Sequence, residues 1–133
     1  MRAINIREPF ATLIVSGHKT IETRRYALPL HVRGERVAVV ATHGRGGPRA
    51  LIVGTVVFDS CEKYDDHEAW LAAADKHRVS NESQYRYEST RPTFGWSVSE
   101  ARRLIKPVPA PSRRGIIFTN HINFNDRDSR FIK

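Results

Sequence analysis

Lys19, Glu22, Arg24 and Arg25 all fall within the stretch SGHKTIETRRY, residues 16–26. An amine, a carboxylate and two guanidinium groups so close together offer three kinds of chemistry. The amine and the carboxylate can divide acid and base roles. The cations can hold phosphate, lysine as a point charge and arginine as a planar fork. The carboxylate can accept a hydrogen bond from a base amino group such as cytosine N4. Against these stands a structural account: a lysine after a helix end, and a glutamate paired with an arginine two residues on along one strand face. Alternation in a strand sets Thr20, Glu22 and Arg24 on one side and Ile21 and Thr23 on the other, so only Arg24 of the two arginines joins Glu22.

Other candidates lie outside this stretch. Arg7 precedes the Glu8–Pro9 turn and can face the same opening, where N–H groups of a helix starting at Pro9 can help to hold phosphate. His43 ends a strand, where its ring can stack a base or move a proton. Arg45 and Arg49 lie in the following turn, GRGGPR, and suit phosphate contacts; the turn lacks P-loop spacing. The candidate catalytic residues are therefore Lys19 and Glu22, and the candidate nucleic-acid contacts are Arg7, Lys19, Glu22, Arg24, His43 and Arg45. The histidines lack zinc-ligand spacing and the single cysteine, Cys61, rules out a Cys-based zinc site. No cofactor is required, although cleavage of RNA would suit a carboxylate-held divalent metal, manganese or magnesium. Phe10, Phe94, Trp96 and Phe118 read as core, and Tyr85 and Tyr87 as parts of an exposed loop.

The elements that must position these groups are short. Residues 2–6 read as a strand with Ile4 and Ile6 toward the core. A helix over 9–16 follows, with Pro9 at its first position, Phe10, Leu13 and Ile14 on one face, and Gly17 as a left-handed cap. Strands are expected over 19–24, 36–43 and 51–60, with Gly54 a bulge or bend. A helix over 64–78, capped by Asp65 or Asp66, precedes a polar excursion over 79–92. Strand-like pieces at 94–98 and 103–105 lead to a last strand at 115–119. Short strands with inserted helices predict an α+β domain, a small barrel or curled sheet.

A chain of 133 residues suits one domain, over residues 1–119, with a C-terminal tail at 120–133 that has little periodicity and is expected to be loosely held. No apolar run is long enough to cross a membrane and no secretory signal opens the chain, so no membrane partner is expected. The lone cysteine fits a cytoplasmic location. The net charge of +8 favours a polyanionic partner, most simply RNA or a nucleotide, and its even spread indicates a folded basic surface rather than a tail. Protein partners are not legible.

The order INIREPFATLIVSGHKTIETRRY, then RGERVAVVATH, then FGWSVSEARRLIKPVPAPSRRGIIF resembles the ASCH domain family (activating signal cointegrator homology) over most of residues 3–119. The resemblance implies a PUA-like fold, a small β-barrel of about five to six mostly antiparallel strands flanked by short helices. It also implies an RNA-interacting module. One bacterial branch of that family hydrolyses the acetyl amide of N4-acetylcytidine, and ribonuclease activity is ascribed to some members. Lys19 matches the lysine of that branch, but Glu22 stands where the branch has a catalytic threonine. Glu62 and Glu68 are both in range of its downstream glutamate, and spacing does not choose between them. The expected function is binding of single-stranded RNA or a nucleotide around Lys19, Glu22 and Arg24. The alternative is a hydrolase, a metal-dependent ribonuclease or an N4-acetylcytidine-type amidohydrolase, using Lys19 and Glu22.

Overall fold

The computed structural model describes residues 1–110, 118–119, 124–125 and 130–132. The chain runs β1 (Ala3–Arg7), α1 (Phe10–Val15), β2 (Ile21–Arg24), β3 (Arg36–Thr42), β4 (Leu51–Lys63), α2 (His67–Ala72), α3 (Ala74–His77), β5 (Phe94–Pro109) and β6 (Phe118–Thr119). Among the described residues the strands form a six-stranded sheet in the order β2-β5-β4-β3-β1-β6. Only the β1–β3 pair is parallel.

Alternation divides the apolar residues between two faces. Ile4, Ile6, Val37, Val39, Val56, Phe58 and Trp96 form the main core with Ala11, Ile14 and Val15 of α1. Ala3, Ala38, Val40, Ile52, Leu104 and Ala110 form a second cluster. The central strand β3 is buried on both faces, which is why RVAVVAT reads as a nearly unbroken apolar run.

The expected barrel is corrected. Among the described residues no pairing joins β2, at one end of the sheet, to β6 or β1 at the other. The sheet is mixed and open. β2 is only 4 residues long, and Arg24 reaches from it to the carbonyl of Asn5 in β1 at 2.8 Å. A side chain, not a backbone ladder, spans the seam where a barrel would close.

Local details differ for identifiable reasons. Pro9 occupies the N-cap position, and the Glu8 carboxylate is the capping group. Its oxygens accept from Thr12 N–H at 2.7 Å and from the Thr12 hydroxyl at 2.6 Å. The buried face of α1 is Ala11, Ile14 and Val15, while Phe10 turns toward a cleft. Gly17 has φ +84°, the left-handed cap expected of it. The helix expected over 64–78 breaks at Ala73 into α2 and α3, with Asp66 accepting from Ala69 N–H at 2.8 Å. The pieces expected at 94–98 and 103–105 are one strand, because β4 pairs along nearly all of β5 and holds its exposed charged stretch extended. Of the strand expected at 115–119, Phe118 and Thr119 pair with β1; residues 115–117 lie outside the described ones. Near the C-terminus, Ile105 donates to the Arg130 carbonyl at 3.0 Å and Ile132 to the Arg103 carbonyl at 2.7 Å. No helix among the described residues is long and apolar enough to cross a membrane.

Gly54 sits at the register shift between Ile52 and Gly54, the bulge foreseen. A Cβ there would lie 2.1 Å from the Arg102 carbonyl oxygen and 2.9 Å from Val15 Cγ1. Backbone cannot yield as a side chain can, so Gly54→Ala is expected to cost about 3 kcal/mol. Urea denaturation checks this; an unchanged midpoint would refute it.

Candidate functional site

Gly17 reverses the chain after α1, and the Lys19 N–H returns to the Leu13 carbonyl at 2.9 Å. That turn sends the Lys19 side chain inward, where it is 1% exposed. Its Nζ donates to the carbonyl oxygen of His77, lies 3.5 Å from Glu22 Oε1 and sits 5.0 Å from the centroid of the Phe10 ring. The end of α3 is fixed for this purpose. Thr20 N–H donates to the Lys76 carbonyl at 2.9 Å. The His77 ring lies 2.8 Å from the Trp70 carbonyl through Nε2 and accepts the Val79 N–H at Nδ1 at 3.0 Å. Those partners select the Nε2–H tautomer of a neutral ring stacked on Trp70. Burial pushes the His77 pKa below its ordinary value.

Glu22 and Arg24 share a strand face, as alternation requires. Glu22 Oε2 accepts from Arg24 Nε at 3.1 Å and from Nη2 at 2.8 Å. With Lys19 on Oε1, both carboxylate oxygens are engaged. Arg24 also lies over the Trp96 ring, 5.9 Å from its centroid, and Trp96 Nε1 is tied to the Tyr26 carbonyl at 3.1 Å. Burial lowers the Lys19 pKa, Glu22 opposes that shift, and Arg24 adds to it.

These groups line a cleft of about 390 Å³ together with Asn5, Arg7, Phe10, Thr23, Arg25, Tyr26, Thr42, Val79, Tyr85 and Thr93. The volume falls within the range of small-ligand sites. Tyr85 meets Phe10 edge to face at 5.9 Å, so the segment read as exposed loop supplies a wall. Tyr26 Oη has no hydrogen-bond partner in good geometry among the described residues. Burial raises its pKa, and the nearby Arg24 guanidinium offsets part of the rise.

Arg7, Lys19, Glu22 and Arg24 come together as the sequence indicated. His43 and Arg45 do not; they are exposed in the turn after Thr42 and lie off the cleft lining. Arg25 does line it, contrary to alternation, because β2 ends at Arg24 and the chain bends. Arg25 is nevertheless held, donating to Thr93 Oγ1 at 2.6 Å and to the Arg86 carbonyl at 2.8 Å. The helix N–H groups proposed for phosphate are faced by the Glu8 carboxylate instead. Glu62 and Glu68 are exposed and off the lining. A divalent metal does not fit this cleft: its one carboxylate among the described residues, Glu22, is already held by two cations. His77, Tyr85 and Thr93 carried no sequence signal for the site, since each arrives from a distant segment; Tyr26 belongs to the 16–26 stretch, but its aromatic ring was not among the groups that offered chemistry there.

A family model described as ASCH domain matches residues 4–108. The crystal structure of ASCH from Zymomonas mobilis superimposes with a TM-score of 0.65 at 26% identity, covering 81% of this chain and 72% of that one. A mutant of the Zymomonas mobilis protein gives the same values. A second mutant gives a TM-score of 0.64 at 25% identity, covering 81% of this chain and 74% of that one. No curated protein matches the sequence.

The buried amine sets a titration prediction. Lys19 should titrate below 10.5 by NMR of its side-chain resonances. The folded protein then holds this proton less tightly than the unfolded chain does. Lys19 therefore costs stability at neutral pH, and the cost shrinks as pH rises through the folded midpoint toward 10.5. Glu22→Gln removes the opposing attraction, so the midpoint should fall further. A midpoint at or above 10.5 would refute the account.

Proposed function

The chain belongs to the ASCH domain family, and we propose on that basis that its cleft receives an unpaired nucleotide of single-stranded RNA. The observation that carries the reading is the buried Lys19–Glu22–Arg24 network forming one wall of a nucleotide-sized cleft in a chain of net charge +8. Inside the cleft, opposite charges are paired and aromatic walls suit a base. At its lining, Arg7 is exposed and its guanidinium makes no hydrogen bond or ion pair among the described residues, which suits a phosphate.

One observation favours a second reading, hydrolysis of RNA or of an N4-acetylcytidine-type amide. Burial lowers the Lys19 pKa and increases the share of neutral amine able to accept a proton. Weighing against it, Glu22 stands in place of the threonine with both oxygens engaged, and neither Glu62 nor Glu68 reaches the cleft. Binding is the better-supported function.

Fluorescence anisotropy with a labelled single-stranded RNA tests the proposal. Affinity should fall between 50 and 200 mM salt, as expected when phosphate contacts release counterions. Arg7→Ala should weaken binding to all sequences alike and reduce the salt slope by about one. Absent or salt-insensitive binding would sink the idea. Intact-mass spectrometry of the same RNA bearing one N4-acetylcytidine separates the readings. An unchanged mass is expected of a binder. Loss of the acetyl group or strand cleavage, abolished by Lys19→Ala, would establish the hydrolase.

A further inference from the structure

β2 is an edge strand, and its ladder phase decides where its backbone groups point. Val98 N–H donates to the Thr20 carbonyl at 2.9 Å. With Ile21 opposite Ser97 and Thr23 opposite Gly95, this bond makes Thr20, Glu22 and Arg24 the residues that bond to β5. Antiparallel ladders alternate, so the N–H and C=O of Ile21 and Thr23 point away from β5, off the sheet edge. Of these two residues only Thr23 lines the cleft. No hydrogen bond to its backbone exists among the described residues. Such an unpaired donor–acceptor pair beside a cleft is a ready template.

We infer that the Thr23 backbone N–H and C=O read the Watson–Crick edge of the nucleobase that enters the cleft. The inference rests on the RNA reading above and deepens it. Every unmodified base carries an acceptor next to a donor on that edge: O4 and N3–H of uracil, O6 and N1–H of guanine, N3 and N4–H of cytosine, N1 and N6–H of adenine. Each can satisfy one C=O and one N–H together. An added peptide strand fits less well. The free edge offers the cleft one residue's pair. A peptide strand needs several successive pairs. The Glu22 carboxylate, earlier a candidate base reader, has its oxygens committed to Lys19 and Arg24, so it positions those cations while the adjacent backbone does the reading.

Edge geometry supplies a clean test. Proline is tolerated on an edge strand where its missing N–H faces outward, so Thr23→Pro removes the reading donor without breaking a ladder bond. Thr23→Val keeps the N–H. Anisotropy is measured with labelled single-stranded RNA heptamers of each central base, and with the same strand carrying an abasic ribose at its centre. The parent and Thr23→Val should prefer the best base-bearing strand over the abasic one. Thr23→Pro should lose that preference, with affinity for the base-bearing strand falling about tenfold to the abasic level. A thermal melt verifies folding. If Thr23→Pro does not fold, an ester in place of the 22–23 amide removes the same N–H with the side chain kept. Parent-like preference in the variant lacking the N–H overturns this inference alone. A parent protein that binds no strand, or binds the abasic strand equally well, overturns the reading beneath it and the inference with it.

Discussion

The Glu22 carboxylate, held between Lys19 and Arg24 at 5% exposure, is the constraint around which this end of the molecule is arranged. Removing ions from water costs several kcal/mol each, recovered only if every charge is paired and its remaining donors and acceptors are satisfied. Each member of the network therefore recruits backbone from elsewhere. Lys19 requires the His77 carbonyl, which requires α3 to end where it does. Arg24 requires the Asn5 carbonyl, which ties β1 to β2 by a side chain. The α2–α3 segment buries its own Trp70 against Tyr64 and Val79, and the His77 ring, held by the Trp70 carbonyl and the Val79 N–H, fixes the end of α3 that supplies that first bond.

The same network borders the open seam. A sheet closes when its end strands approach to ladder distance, about 4.8 Å. Among the described residues no ladder joins β2 to β1 or β6, and Arg24 reaches across to the Asn5 carbonyl beside the cleft. α1 covers the sheet nearby through small and branched residues, Ala11, Ile14 and Val15, and its capping glutamate removes an alternative anion site from the mouth. The sheet's incompleteness and the cleft's existence are one feature seen from two directions.

Charge is layered within this cleft. The interior pairs one carboxylate with two cations, and Arg25 is restrained by Thr93 and the Arg86 carbonyl. Arg7 is exposed without such restraint. An electrostatic surface alone would have no use for a buried glutamate. A cleft that orients a neutral base while attracting its phosphate would use it to hold the cations in fixed positions.

Local physics was legible in the sequence. Alternation placed Glu22 beside Arg24, glycine at residue 17 marked a left-handed turn, and the β-branched run at 36–42 announced a central strand. These depend on neighbours along the chain, where spacing determines direction. The order of motifs placed the chain in its family. What tertiary structure alone decided depends on partners far apart in sequence. β5 is one strand because β4 lies along it, although its exposed, charged middle has no strand signature of its own. Arg25 lines the cleft because the strand ends, and Tyr85 does because a polar excursion folds back over Phe10. Lys19, which spacing alone would leave in solvent, is buried by a carbonyl 58 residues away. Closure of the barrel was undecidable for the same reason: it turns on whether two distant strand edges meet, and here charged side chains occupy the space between them.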